Sequence, residues 1–139
     1  MSEKGVIIVD PDEKHSEALR SVLESELYAP VSLASLSDVK TQLETQRYRA
    51  LLIDLDQTLL DNRFLKELRK EHPSLCVIGL SNRTFHPELE EALSRYIDAS
   101  FAKSADYGEL LYWLKTVFAP SIDQRRESRS TRDELGQDQ

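Results

Sequence analysis

The sequence has few cysteines, no excess of positive charge and no long apolar run. It contains one cysteine, Cys76, which excludes an intramolecular disulfide; its position in an apolar run predicts a small buried side chain. Positive charge is not in excess, and the formal net charge of −7 argues against non-specific binding to nucleic acid or anionic membranes. No apolar run could span a membrane, and the first five residues lead into a run too short for a signal-peptide core. We therefore expect a cytoplasmic protein whose partners include neither membrane nor nucleic acid.

The length and composition fit one domain followed by a short extension. The 139 residues are 40% hydrophobic and 31% charged, which is ordinary for a globular protein with a buried core. Residues 1–119 contain all the strongly apolar segments, whereas residues 120–139 are rich in Arg, Ser, Asp and Gln. We predict a single domain over 1–119 and a polar tail or linker over 120–139.

Apolar runs and helical spacing alternate along the domain. Strands are predicted over 6–9, 31–34, 50–55, 75–80 and 99–102. Helices are predicted over 12–27 (with Leu27 on its apolar stripe), over 37–46 (capped by Ser37 and Asp38), in a third segment that stops at His72, from His86 onward, and over 106–118. This alternation predicts an α/β fold, a doubly wound five-stranded parallel sheet of (βα)5 type with strand order 2-1-3-4-5.

Polar side chains stand at the carboxyl ends of four of the five predicted strands. They are Asp10 after the first, Asp54 and Asp56 at the end of the third, Ser81 after the fourth and Lys103 after the fifth. The carboxyl ends of parallel strands share one edge of the sheet, so these side chains should meet there. Clustered carboxylates favour a hard cation, Mg²⁺ above all, and a neighbouring ammonium and hydroxyl could hold a phosphoryl group on a nucleophilic aspartate. The alternative is that each is an ordinary turn, cap or surface residue.

These residues resemble the receiver domains of bacterial two-component response regulators, the CheY-like domains, over about residues 5–119. Val6-Ile-Ile-Val-Asp10 is similar to the family's first strand and acidic cluster, and Leu52-Ile-Asp54 to its phosphoacceptor strand. Ser81 falls on the switch Ser/Thr position and Lys103 on the strand-five lysine. The resemblance implies a signalling domain, not an enzyme, that accepts a phosphoryl group on Asp54 from a histidine kinase or phosphotransfer protein.

The resemblance also implies a metal site and a contact surface. Mg²⁺ would be held by Asp10, Asp54 and the backbone carbonyl of Asp56, with Asp12 as a further candidate ligand. The signal would pass by protein contact to an effector or a second copy, through the face formed by helix four, strand five and helix five.

The chain departs from the family pattern at four positions. Pro11 replaces the second acid after strand one, and Ser104 replaces the proline after the lysine. Ser100 stands where an aromatic switch residue is expected, and Asn82 where a smaller residue is usual. Pro11 and Ser100 favour an alternative function: a pseudo-receiver that binds partners and is never phosphorylated.

A second resemblance is to the haloacid-dehalogenase phosphatases. Asp54-Leu-Asp-Gln-Thr is similar to their first motif, with Asp54 as nucleophile and Asp56 as acid/base. That family needs a further strand ending in a carboxylate pair after the lysine, and residues 104–139 offer one predicted helix and a polar tail. It is the less favoured alternative.

The three histidines and two adjacent aromatic residues are further candidates for binding. His15, His72 and His86 lie near predicted helix ends, and each is predicted to be a surface residue. Tyr112 and Trp113 are adjacent on helix five, so one of them should be exposed and available to a partner.

Overall fold

The computed structural model describes residues 4–83, 86–103 and 107–119. Five strands and five helices alternate in it, namely β1 (Gly5–Val9), α1 (Glu13–Ser25), β2 (Ala29–Leu33), α2 (Val39–Leu43), β3 (Ala50–Asp54), α3 (Asn62–Glu71), β4 (Cys76–Ser81), α4 (Glu90–Arg95), β5 (Ala99–Ala102) and α5 (Gly108–Phe118). Single 3-10 turns, Leu36–Asp38 and Pro87–Leu89, precede α2 and α4. Ser104 and the predicted tail over 120–139 lie outside the described residues.

The sheet has the predicted topology. All strand pairs are parallel and the order is β2-β1-β3-β4-β5, so the expected doubly wound sheet is confirmed. Pro30 lies in β2, which is at the edge of the sheet formed by the described strands and pairs there with β1. An edge strand tolerates proline because one of its sides needs no ladder hydrogen bonds.

The alternation of side chains along the strands produces two hydrophobic layers. Ile8, Leu52 and Ile78 face α1 and α5. Leu19 of α1 and Leu110 of α5 belong to the same hydrophobic layer. The intervening strand residues face the opposite side, where the layer comprises Ile7, Val9, Leu51, Ile53 and Val77 together with Val39, Leu65, Leu68 and Ala92 from α2, α3 and α4. Covering both faces buries the centre of the sheet and leaves the strand ends as the place for polar side chains.

The end of α1 differs from the prediction. The helix ends at Ser25, and Leu27 has φ of 71° and is 80% exposed, so its assignment to the apolar stripe was wrong. The amide of Tyr28 donates to the carbonyl of Leu23, and that of Leu27 to Glu24, both at 3.0 Å. These bonds form a Schellman motif, which requires a left-handed residue after the helix.

The start of α2 also differs. The side chain of Ser35, not that of Ser37 or Asp38, caps the 3-10 turn Leu36–Asp38, since its Oγ accepts from the amide of Ser37 at 3.2 Å. In the described part of the chain, no side chain caps α2 itself. The predicted stop of α3 at His72 is confirmed. No helix in the described ranges is both long and apolar enough to cross a bilayer.

Candidate functional site

The strand register brings the strand-end residues together. Val9 pairs with Ile53, so Asp10 and Asp54 occupy neighbouring strand ends. Asp54 pairs with Leu80, and Ser81 pairs with Ala102, which places Lys103 at the same edge. The side chains that the sequence predicted to meet are therefore adjacent in the structure.

Asp54 is buried and paired with the lysine. It is 2% exposed, and Lys103 Nζ lies 2.5 Å from its Oδ1. Its Oδ2 accepts from the amide of Gln57 at 2.9 Å, because β3 ends at Asp54 and the chain turns immediately after it. Burial disfavours the charge on Lys103, but hydrogen bonds to Asp54 and Asp56 outweigh it and raise the pKa of the ammonium. A lysine held charged beside a carboxylate can stabilise negative charge that develops on it.

The carboxylate of Asp56 points into the site, where neighbouring donors hold it. Its Oδ1 accepts from Ser81 Oγ at 2.7 Å, and its Oδ2 accepts from the amide of Asn82 at 2.9 Å. Lys103 Nζ lies 3.0 Å from Oδ2, and Arg83 Nε lies 3.8 Å from Oδ1. Burial would raise the pKa of Asp56, but the bonds from Ser81, Asn82 and Lys103 prevail and lower it to about 2.

Asp10 and Asp12 have different roles. Asp10 is 5% exposed, its Oδ1 accepts from the amide of Asp12 at 2.9 Å, and its Oδ2 contacts Nδ1 of His15. The other ring nitrogen of His15 contacts the hydroxyl of Tyr107. The side chain of Asp12 caps α1 by accepting from the amides of Lys14 and His15, so in this structure it is used by the helix.

The residues at the sheet edge offer a small set of ligands for Mg²⁺. Among the described residues, no cluster of three or more His, Cys, Asp or Glu side chains is arranged to hold a metal ion. Mg²⁺ is nevertheless commonly bound through one or two carboxylates with several waters retained. Asp10 and Asp54 supply two buried carboxylates, so the donor chemistry fits. Contacts from His15 and Lys103 already engage them, and a cation has to compete with those contacts.

The prediction that the histidines lie at the surface was wrong for His86, whereas His15 and His72 are half-buried. His86 is 7% exposed, and its Nε2 lies 2.7 Å from Ser81 Oγ. His15 is half-buried against Asp10. His15 precedes Leu19 by four residues, so helical spacing could have placed it on the buried face of α1. Nothing in the local sequence marks His86.

A cleft lies beside Ser100. Ser100 and Ala102 of β5 line an opening of about 260 Å³ together with Ser81, His86 and Leu93. Ser100 therefore borders open space beside His86.

The two aromatics of α5 are unequally exposed. Tyr112 is 75% exposed, whereas Trp113 is 37% exposed and packs edge-on against Phe101, with ring centroids 6.0 Å apart. The indole Nε1 donates to Cys76 Sγ at 3.4 Å, and Cys76 is half-buried rather than fully buried. Tyr112 is therefore the more accessible of the pair.

Comparison with known proteins gives matches in structure only. No protein-family model matches the chain, and no curated protein matches it in sequence. The response regulator TrrA from Thermotoga maritima, solved in complex with Mg²⁺ and BeF, is 18% identical with a TM-score of 0.71, over 83% of this chain and 99% of that one. The receiver domain of a sensor histidine kinase from Pseudomonas aeruginosa, with magnesium in its active-site cleft, is 21% identical with a TM-score of 0.70, over 82% and 96%.

A third match comes from a complex of R. sphaeroides proteins, the P1 domain of CheA3 with CheY6. It is 22% identical with a TM-score of 0.68, over 86% of this chain and 100% of that one. At these identities the likeness is one of fold. The chain has the CheY-like fold of response-regulator receiver domains, as the sequence resemblance implied.

Proposed function

We propose that this chain is a response-regulator receiver domain that accepts a phosphoryl group on Asp54. The observation that carries the proposal is the 2.5 Å pairing of Lys103 with a buried Asp54 at the switch point of the sheet, beside Asp10. A carboxylate attacking a phosphodonor approaches a centre ringed by negative oxygens, so a charged lysine at that point lowers the repulsion.

The roles of the surrounding side chains follow from their positions. Asp54 is the nucleophile, and Lys103 takes part of the charge that develops on the transferred group. Ser81, buried on the neighbouring strand end, donates its hydroxyl hydrogen to a phosphoryl oxygen once the group is in place. Asp10 and Asp54 would hold Mg²⁺, with the carbonyl of Asp56 as the third protein ligand.

The absent second acid limits this metal site. Pro11 provides neither a charge nor an oxygen from its side chain, and the carboxylate of Asp12 is used as a helix cap. Water can fill the remaining positions around Mg²⁺, so we expect weakened rather than abolished binding. When bound, the cation would supply neutralisation of the phosphoryl oxygens.

The expected partners are those of a signalling domain in the cytoplasm. A histidine kinase or a phosphotransfer protein would donate the phosphoryl group; one of the similar structures is a complex between a CheA P1 domain and a CheY protein. The output would be a contact with an effector or a second copy through the α4–β5–α5 face, which carries the exposed Tyr112.

The metal dependence of phosphorylation tests the proposal. Wild type and Pro11→Asp are incubated with acetyl phosphate over a range of Mg²⁺ concentrations, and modification is read by intact mass. Wild type should gain one phosphoryl group, lose the reaction in EDTA, and need more Mg²⁺ than Pro11→Asp, because the variant restores a carboxylate ligand. A wild type that stays unmodified at high Mg²⁺ while Pro11→Asp reacts readily would instead identify a pseudo-receiver.

The pseudo-receiver remains the second candidate because of Asp56. Its carboxylate already takes the hydrogen bonds that Ser81 and Lys103 would give to a phosphoryl group. The phosphatase alternative gains no support from the described residues, since the only element described after Lys103 is α5.

A further inference from the structure

The donors around Asp56 form a site of their own. We define the anion cradle as the Ser81 hydroxyl, the Asn82 amide, the Lys103 ammonium and the Arg83 guanidinium, which lie 2.7, 2.9, 3.0 and 3.8 Å from the carboxylate oxygens of Asp56. The Asp56 side chain is 18% exposed. Convergent donors bind this carboxylate, and donors of the same kinds also form charge-assisted hydrogen bonds with phosphate oxygens.

The hydrogen bonds of Ser81 fix which groups donate and which accept beside Asp56. A carboxylate only accepts, so Ser81 donates to Asp56 and its oxygen accepts from the amide of Arg83 at 2.8 Å and from His86 Nε2 at 2.7 Å. Nε2 of His86 therefore carries a hydrogen. In the neutral ring Nδ1 is then the bare nitrogen, consistent with its being buried without a hydrogen-bond partner.

This chain of bonds leads to α4. It runs from His86 through Ser81 to Asp56, and His86 immediately precedes the turn Pro87–Leu89 that leads into the helix. The position of His86, the residue before this turn, is therefore tied to what occupies the cradle.

We propose that Asp56 is a built-in ligand of the anion cradle, which would otherwise bind an external phosphate or phosphoryl oxyanion. Its carboxylate holds Ser81, His86 and the start of α4 in the arrangement of an occupied cradle without any phosphorylation. A phosphoryl group on Asp54 would then reach the cradle only by displacing Asp56. This last step rests on the proposed function; the cradle and its occupant do not.

Phosphate binding without a phosphodonor tests the proposal. Wild type and Asp56→Ala are titrated with inorganic phosphate at neutral pH, and the backbone amide signals of Asn82 and His86 are followed by NMR. Asp56→Ala should show saturable shifts that return the His86 signal toward its wild-type position, with affinity at least about tenfold tighter than wild type, a difference of about 1.4 kcal/mol. Adding Ser81→Ala to Asp56→Ala should weaken this binding.

Asp38→Ala is the matched control. Asp38 is exposed and its side chain makes no capping hydrogen bond, so the variant removes the same charge away from the cradle. Equal phosphate affinity in wild type and Asp56→Ala, or shifts in Asp56→Ala no larger than those in Asp38→Ala, would overturn the proposal. If Asp56→Ala does not fold, Asp56→Asn takes its place with the same two outcomes. Because no phosphodonor is present, failure of Asp54 to be phosphorylated would leave this result unaffected.

Discussion

At the scale of single residues, the carboxylate of Asp56 links the site to stability. Its pKa in the folded protein is about 2, against an ordinary 3.8, because its bonds to Ser81, Asn82 and Lys103 outweigh the effect of burial. A depressed carboxyl pKa stabilises the fold above the ordinary value, and this contribution disappears as the pH falls toward 2. The ionised Asp56 should therefore contribute most at and above about pH 5.

Asp56→Asn tests this linkage. The free energy of unfolding of wild type should fall more steeply than that of the variant between pH 4 and pH 2, by about 1 kcal/mol in total, less than the full linkage value because water reaches part of the carboxylate. Urea denaturation at several pH values measures it. Parallel pH profiles for the two proteins would show that Asp56 is not held as an ionised ligand.

At the scale of elements, the end of α1 is a strained cap. Leu27 adopts φ of 71° in the Schellman motif and is 80% exposed, so it loses little packing if truncated. A side chain in the left-handed region costs about 1 kcal/mol or more, which glycine avoids.

Leu27→Gly should therefore stabilise the protein by about 0.5–1 kcal/mol in denaturant unfolding. Leu27→Ala is the matched control, since it removes the same apolar surface but keeps the Cβ, and it should change stability little. Equal stabilities for the glycine and alanine variants would contradict the assignment.

A second element-scale feature is the space that Gly79 leaves in β4. A Cβ at this position would lie 2.6 Å from Cδ1 and 2.9 Å from Cγ of Leu55, a buried residue between the two aspartates of the site. Glycine here allows the turn after β3 to pack its leucine under the sheet edge.

Gly79→Ala should destabilise the fold by about 1–3 kcal/mol, the usual cost of overpacking a core. The double variant with Leu55→Ala should lose less than the sum of the two single variants, because the alanine removes the clash. Additive losses in urea denaturation would show that the two positions do not compete for space.

The sequence was most predictive where regular structure decides the outcome. The βα alternation predicts the parallel sheet and its common strand order. The carboxyl ends of parallel strands share one edge, and this brings Asp10, Asp54 and Lys103 together. The side-chain direction of Asp56 depends on the turn after β3, and the burial of His86 on the loop after β4. Turns and loops lack the regular spacing of apolar residues that marks helices and strands, so hydrophobic patterning does not predict these two side-chain positions.

At the scale of the whole molecule, α5 leaves an aromatic side chain exposed. Tyr112 is largely exposed, whereas Trp113 covers Phe101 and Cys76. Tyr112→Ala should leave the free energy of unfolding within about 0.5 kcal/mol of wild type. It should also weaken self-association of the phosphorylated protein, because an exposed aromatic is a common interface anchor.

Light scattering over a range of concentrations measures this effect, with Lys115→Ala, on an exposed position of the same helix, as the control. Lys115→Ala should associate like wild type. A wild type that is monomeric at every concentration, phosphorylated or not, would exclude the second copy as the partner of this face.

The central claim is that Asp54 receives the phosphoryl group in a cradle that Asp56 now fills. The most direct measurement is the rate of modification by acetyl phosphate and Mg²⁺, read by intact mass, for wild type, Asp56→Ala and Asp54→Asn side by side. The account predicts faster modification of Asp56→Ala than of wild type, because the donors of the cradle are free for the incoming group, and none of Asp54→Asn. Modification of Asp54→Asn at the wild-type rate would contradict it.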